Sequence, residues 1–273
     1  MTEPSIDFST APDRYRHWQL NVHGSTATLT MAVDPESGLR DDYELKTNSY
    51  DLGVDIELND AVQRLRFEHP TVKVVVVTSG LDKIFCAGAN IQMLAGASHG
   101  HKVNFCKFTN ETRNGIEDAT ANSRQTWIAA VNGTAAGGGY ELALACDEIL
   151  LIDDKSSAVS LPEIPLLAVL PGTGGLTRVV EKRLVRRDLA DAFATRTEGL
   201  RGKTAIEWGL VDHIAPASAW DDLIAERTAA RTADSDRPSE GVGIALCPLE
   251  RTFTDERLTY TSVTVSIERS MGS

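Results

Sequence analysis

The sequence predicts an α/β fold. Short β-branched or apolar runs recur along the chain, and they feed through small or turn-forming residues into segments with helical spacing. Residues 72–78 (VKVVVVT) and Thr126–Val131 (TWIAAV) are the clearest such runs. Composition agrees: 42% hydrophobic and 24% charged residues in a chain of 273 describe an ordinary globular protein with room for a sizeable core.

Taken in order, residues 18–22 and 27–33 read as strands joined in a hairpin at His23-Gly24-Ser25. Residues 34–52 form a long polar segment rich in turn formers and without a period, and an insertion of that length argues for a functional role. From Val54, the spacing of Ile56, Leu58, Val62, Leu65 and Phe67 fits one helix face ending near Pro70. Residues 72–78 then make a buried strand, closed by Ser79-Gly80. Thr126–Val131 is another, running through Asn132-Gly133 into Gly137-Gly138-Gly139 and a helix with Leu142, Leu144, Ala145 and Ile149 among its apolar positions. Glu148–Ile152 begins a further strand and residues 158–161 another. Residues 174–230 read as mainly helical and residues 231–240 as a polar linker. Residues 258–267 (LTYTSVTVSI) read as one strand, which either begins a second module or ties the terminus onto the sheet.

Charge and cysteine usage exclude some partners. With 27 Lys and Arg against 39 Asp and Glu, the net charge of -12 argues against nucleic acid, whose phosphates need a basic face. Cys86, Cys106, Cys146 and Cys247 form no CxxC pair, which disfavours a zinc ribbon and suits a reducing cytoplasm. The N-terminus lacks a basic leader and an apolar core region, and no apolar run is long enough to span a bilayer, so a cytoplasmic protein without a membrane is expected.

Two glycine-rich turns are the first candidates for chemistry. Phe85–Ile91 (FCAGANI) and Ala130–Glu141 (AVNGTAAGGGYE) each carry a strand toward a helix through small residues, and two such turns side by side would aim two N–H groups at one developing oxyanion. Taken singly, each is equally well structural punctuation. Glu141 opens an apolar helix, where it either complements the helix dipole or serves a site. Glu163 lies among prolines and apolar residues, surroundings that desolvate a carboxylate and suit it to acid chemistry. The run 170–178 (LPGTGGLTR) lacks the Gly-Lys-Ser/Thr ending of a phosphate loop and reads as a tight lead-in to a helix. Gly96-Ala97-Ser98-His99-Gly100 matches the nucleophile elbow in letters but lacks the preceding strand. His99 and His101 have no third ligand nearby, so no metal site is expected.

Together these segments, with residues 161–175 (LPEIPLLAVLPGTGG) and 205–211 (AIEWGLV), resemble the crotonase superfamily over roughly residues 15–230. The resemblance implies a spiral of ββα units with C-terminal helices that build contacts in a homo-oligomer. It implies an acyl-CoA substrate, with CoA as part of that substrate and no separate cofactor. By the resemblance, the amides of Ala89 and Gly138 form an oxyanion hole and backbone around Ala87, Ala89, Asn90 and Ile91 holds CoA. Glu141 and Glu163 would be the catalytic carboxylates, with Cys106 as a further pocket residue or merely a small apolar one. Asn90 stands where the family commonly has Asp. That departure, the expanded first loop and the restart near the C-terminus are similar to the superfamily's benzoyl-CoA ring-cleaving lyases, two-lobed chains about twice this length. The division then implied is a core at residues 1–180, a helical region at 181–230, a linker at 231–257, and the start of a second lobe at 258–273. The implied reaction opens 2,3-epoxy-2,3-dihydrobenzoyl-CoA with water to an oxohexenoyl-CoA and formate. An ordinary 2-enoyl-CoA hydratase or isomerase, or an acyl-CoA-binding lobe without catalysis, would share much of the pattern.

Overall fold

A computed structural model describes residues 6–268. The N-terminal hairpin forms as expected: β1 (Trp18–His23) and β2 (Thr26–Met31) pair antiparallel around Gly24, whose φ of +60° suits glycine. Residues 34–52 are packed rather than loose. Tyr43, Leu45 and Asn48 are buried, and the segment ends in a short strand, β3 (Ser49–Tyr50). Asn48 pins it: the two hydrogens of its Nδ2 are shared among Met31 O, Ser79 Oγ and Phe85 O, and its Oδ1 accepts from the Val33 amide. One buried, hydrogen-bonded amide thus ties down a segment that a count of polar residues reads as solvated.

Helix α1 (Leu52–Phe67) starts at Asp51, whose Oδ1 caps the amides of Gly53 and Val54. Strands β4 (Val74–Ser79), β5 (Lys83–Cys86) and β6 (Gly88–Ala89) follow, then α2 (Ile91–Gly96) and the long α3 (His99–Ser123). Ser98 is the N-cap of α3, accepting from the His101 amide, so the elbow-like match is a cap between two helices. The next coil comprises β7 (Thr126–Val131), β8 (Gly133–Ala136) and α4 (Gly138–Ala145). After it come β9 (Glu148–Ile152), β10 (Val159–Ser160), α5 (Glu163–Leu167) and α6 (Gly175–Thr177), which continues into a π-helical turn at Arg178–Lys182. Helices α7 (Arg187–Ala194) and α8 (Gly202–Glu207), strand β11 (His213–Ala215) and helix α9 (Trp220–Asp234) complete the first unit's elements. Strands β8 and β11 escape the sequence pattern because four or three residues of mixed polarity carry no period.

The main sheet has the order β1-β2-β4-β7-β9-β11 and is parallel from β2 onward. A smaller parallel sheet, β10-β8-β5, and the pair β3-β6 lie in the same coils. The three turns that begin at β4, β7 and β9 each supply one strand to the main sheet and one to the smaller sheet before their helices, which is the expected ββα spiral. Both faces of the main sheet are covered. Val75, Val77, Ala129, Val131, Ile149 and Leu151 join the large core, whereas Val74, Val76, Ile128, Ala130 and Leu150 form a second core with Trp220 of α9. Burial on both faces is why these strands read as unbroken apolar runs.

The chain divides into two units, residues 1–243 and 244–273. In the second, β12 (Arg251–Thr254), β13 (Arg257–Tyr260) and β14 (Thr264–Ser266) form an antiparallel meander. The single strand read at residues 258–267 is thus two, because the chain folds back at Thr261-Ser262, where the Tyr260 amide donates to Val263 O at 2.7 Å. Strand β12 falls within the stretch read as linker, and α9 runs to Asp234. Residues 1–5 of the expected core and 269–273 of the expected second lobe lie outside the described residues.

Candidate active site

The two glycine-rich turns come together. A Cβ on Gly88 would fall 2.8 Å from Ala136 O and 2.9 Å from the Gly138 nitrogen, so β6 passes directly against the start of α4. Gly88 itself has φ +86° and Gly137 φ +54°, conformations that favour glycine. Gly138 is the first residue of α4, where an amide has no carbonyl one turn back to donate to. Directly after β6, the Asn90 amide donates to Tyr50 O at 2.8 Å. The alternation of a parallel ladder then turns the Ala89 amide away from β3.

The glutamates occupy contrasting surroundings. Glu141, in the first turn of α4, is 2% exposed. Its Oε1 accepts from the amides of Thr173 at 2.9 Å and Gly175 at 2.8 Å, and its Oε2 accepts from the Thr173 hydroxyl. Arg178 braces that loop by donating to Thr173 O at 2.7 Å while its other nitrogens bind Glu117 and Asn114 of α3. The run read as a helix lead-in is therefore also the clamp on Glu141. Three donors leave one acceptor position, on Oε2.

Glu163 opens α5 and is half-buried, with its carboxylate over Gly137: a Cβ there would lie 2.7 Å from Glu163 Oε1. Its buried Oε2 has no partner among the described residues. Burial, reinforced by the neighbouring Glu141 charge, pushes its pKa up to about 7. Beyond it, α5 buries none of its residues and exposes Leu166 and Leu167.

The other expected site residues are placed as follows. Ala87 and Ile91 are exposed at the rim of the first turn, and Ala89 is half-buried between them. The Asn90 side chain is committed to the fold: Nδ2 donates to Glu44 O and Ser49 Oγ, and Oδ1 caps α2 at the Met93 amide. Cys106 is exposed on α3, and partial burial, with the Glu141 charge, raises its thiol pKa. Asn110, one turn on, donates to Gly172 O next to the Glu141 clamp. His99 is exposed and His101 buried at the start of α3. Among the described residues, no three His, Cys, Asp or Glu side chains cluster to hold a metal. No described helix is long and apolar enough to cross a membrane. Sequence reasoning missed Thr173, Gly175 and Arg178, whose signal was the Gly-Thr-Gly-Gly run itself, and Tyr50, hidden in the long polar segment.

Comparison with known proteins gives the family and the fold. The sequence pattern of the enoyl-CoA hydratase/isomerase family matches residues 44–236. The chain is 58% identical over 263 residues to the benzoyl-CoA-dihydrodiol lyase of Aromatoleum evansii, a match covering 96% of this chain and 47% of that protein. It is 33% identical over 182 residues to the fatty acid oxidation complex subunit alpha of Idiomarina loihiensis, covering 67% of this chain and 25% of that one. The chain thus spans about half the length of the first relative and less of the second. An enoyl-CoA hydratase crystal structure from Geobacillus kaustophilus superposes with a TM-score of 0.69 at 32% identity, covering 80% of this chain and 75% of that one. This chain belongs to the enoyl-CoA hydratase/isomerase family, with the crotonase fold.

Proposed function

We propose that this chain carries the catalytic site of a carbon–carbon lyase that opens the ring of 2,3-epoxy-2,3-dihydrobenzoyl-CoA with water, giving an oxohexenoyl-CoA and formate. The observation that carries the reading is the pairing of one clamped carboxylate with one half-buried carboxylate, unpartnered at Oε2 among the described residues, beside two converging amide turns. The 58% identity to a benzoyl-CoA-dihydrodiol lyase directs it to an aromatic acyl group. In this reading, backbone near Ala87, Ala89, Asn90 and Ile91 holds the CoA arm. The amides of Ala89 and Gly138 receive the thioester oxygen as negative charge reaches it. Glu141, held by Thr173 and Gly175, orients a water through its remaining acceptor position. Glu163, poised near neutrality, gives up and takes back the proton. Cys106 borders the pocket that receives the ring.

The test is turnover of the epoxide thioester against crotonyl-CoA by the full chain and by Glu141→Gln and Glu163→Gln. Each single variant is expected to lose roughly 10²–10⁴ in kcat, with CoA-thioester Kd little changed. The double variant should be hardly worse than the poorer single one, because the pair acts as a unit. Preference for crotonyl-CoA would make the chain an ordinary hydratase, the reading that the Geobacillus structure favours. Binding without turnover of either would leave a non-catalytic acyl-CoA lobe.

A further inference from the structure

Tyr50 is buried at the site and its hydroxyl serves no evident purpose in the fold. Its ring is fixed from two sides, by Phe105 with centroids 5.9 Å apart and by the Arg113 guanidinium 5.3 Å from its centroid. Arg113 is itself buried and bound to Asp55 Oδ1 at 2.7 Å, and Asp55 Oδ2 accepts from Thr109 at 2.5 Å. A buried ion pair of this kind costs desolvation, and here it orients an aromatic ring. At the far end of the ring, the hydroxyl rests on Gly138, where any Cβ would overlap it.

Buried phenols ordinarily find a partner. The other three tyrosines of the first unit do: Tyr15 donates to Asp60, Tyr43 to Asp51 and Tyr140 to Leu210 O. The Tyr50 hydroxyl alone makes no hydrogen bond among the described residues of that unit. Burial drives its pKa up against the pull of Arg113, and the Asp55 and Glu141 charges add to the rise, so the group stays a neutral O–H. It is a donor without an acceptor, set against the residue whose amide is the proposed oxyanion contact.

We propose that Tyr50 is a further catalytic residue whose Oη donates to the thioester oxygen of bound acyl-CoA beside the amides of Ala89 and Gly138. This rests on the acyl-CoA reading of the site but not on which acyl group is turned over. Any Cβ at Gly138 would displace the hydroxyl, so the glycine is required for Tyr50 as much as for the amide.

The experiment is a binding cycle with the full chain, wild type and Tyr50→Phe, against benzoyl-CoA and the benzyl thioether of CoA, which lacks the carbonyl oxygen. Phe keeps the ring between Phe105 and Arg113, and a melting curve accompanies each protein. Losing one hydrogen bond should weaken thioester binding about 3- to 10-fold while leaving the thioether unchanged, and kcat should fall further, by about 10²–10³. Equal effects on both ligands, or none on either, would overturn the proposal. If the Phe variant melts early, 3,5-difluorotyrosine at position 50 strengthens the donor and must shift thioester affinity alone; a shift in both or neither overturns the proposal equally. Absence of epoxide turnover by the wild type would sink the ring-opening reading only, because the cycle reads binding.

Discussion

Glu163 has a carboxylate oxygen with no partner among the described residues and a pKa pushed up to about 7, and that pairing has a thermodynamic signature. Its folded pKa lies above the ordinary glutamate value of 4.5, so the native state holds the proton more tightly than the unfolded chain does. The associated stability is full below about pH 4.5 and is lost as pH rises through about 7. Glu163→Gln cannot ionise and should escape this loss. Its melting temperature is expected to match the wild type near pH 4.5, to exceed it increasingly as pH rises toward 7, and to keep a constant lead above that. Parallel melting curves across that range would show that ionising Glu163 does not burden the fold. At this scale the sequence was informative about residue type and poor about partners. The apolar, proline-flanked setting of Glu163 was legible, because desolvation follows from neighbours in the chain. The clamp on Glu141 was not, since Thr173 lies 32 positions away and its role arises only when α6 packs beside α4.

The start of α4 shows how closely elements are fitted. Gly139 faces the Cys86 carbonyl so tightly that a Cβ would overlap it, and backbone cannot swing aside as a side chain can. Gly139→Ala is expected to destabilise by about 1–3 kcal/mol and to separate the two turns, lowering kcat as well. Gly172→Ala is the control: a Cβ there meets nothing within 4 Å, so stability should be unchanged. Equal melting temperatures for both variants would mean that the turns are not in the close contact described. Elements with strong period or β-branched composition, such as α1, β4 and β7, were legible in the sequence to within about three residues. The short strands β3, β8 and β11 were not, because their pairing is decided by partners far along the chain. The two-strand fold-back after Tyr260 was missed for another reason: Thr and Ser serve equally in strands and in turns.

Across the whole first unit, α9 is fastened to the sheet by one buried carboxylate. Glu148 of β9 receives Arg227 at 2.5 Å and Arg231 at 2.6 Å, with His213 Nε2 at 3.2 Å. Burial works to raise its pKa, but the two guanidiniums outweigh it and hold the carboxyl below the ordinary value of 4.5. Its contribution is therefore present above the unfolded pKa and lost as pH falls through the folded one. Glu148→Gln should lower the melting temperature at pH 7 and flatten its decline below pH 4.5; an unaltered acid limb would assign that limb to other groups. The covered faces of the main sheet carry a cost of their own. β4 must find β2 across 48 positions and β7 across 52, so neither pairing can form until a long loop closes. Until then Val74–Val77 is a sticky, fully β-branched tetrad in an unfinished chain, and Lys73 is the charge placed at its edge. The same four valines that feed two cores in the native state make this stretch an aggregation hazard during synthesis, with a single lysine standing guard.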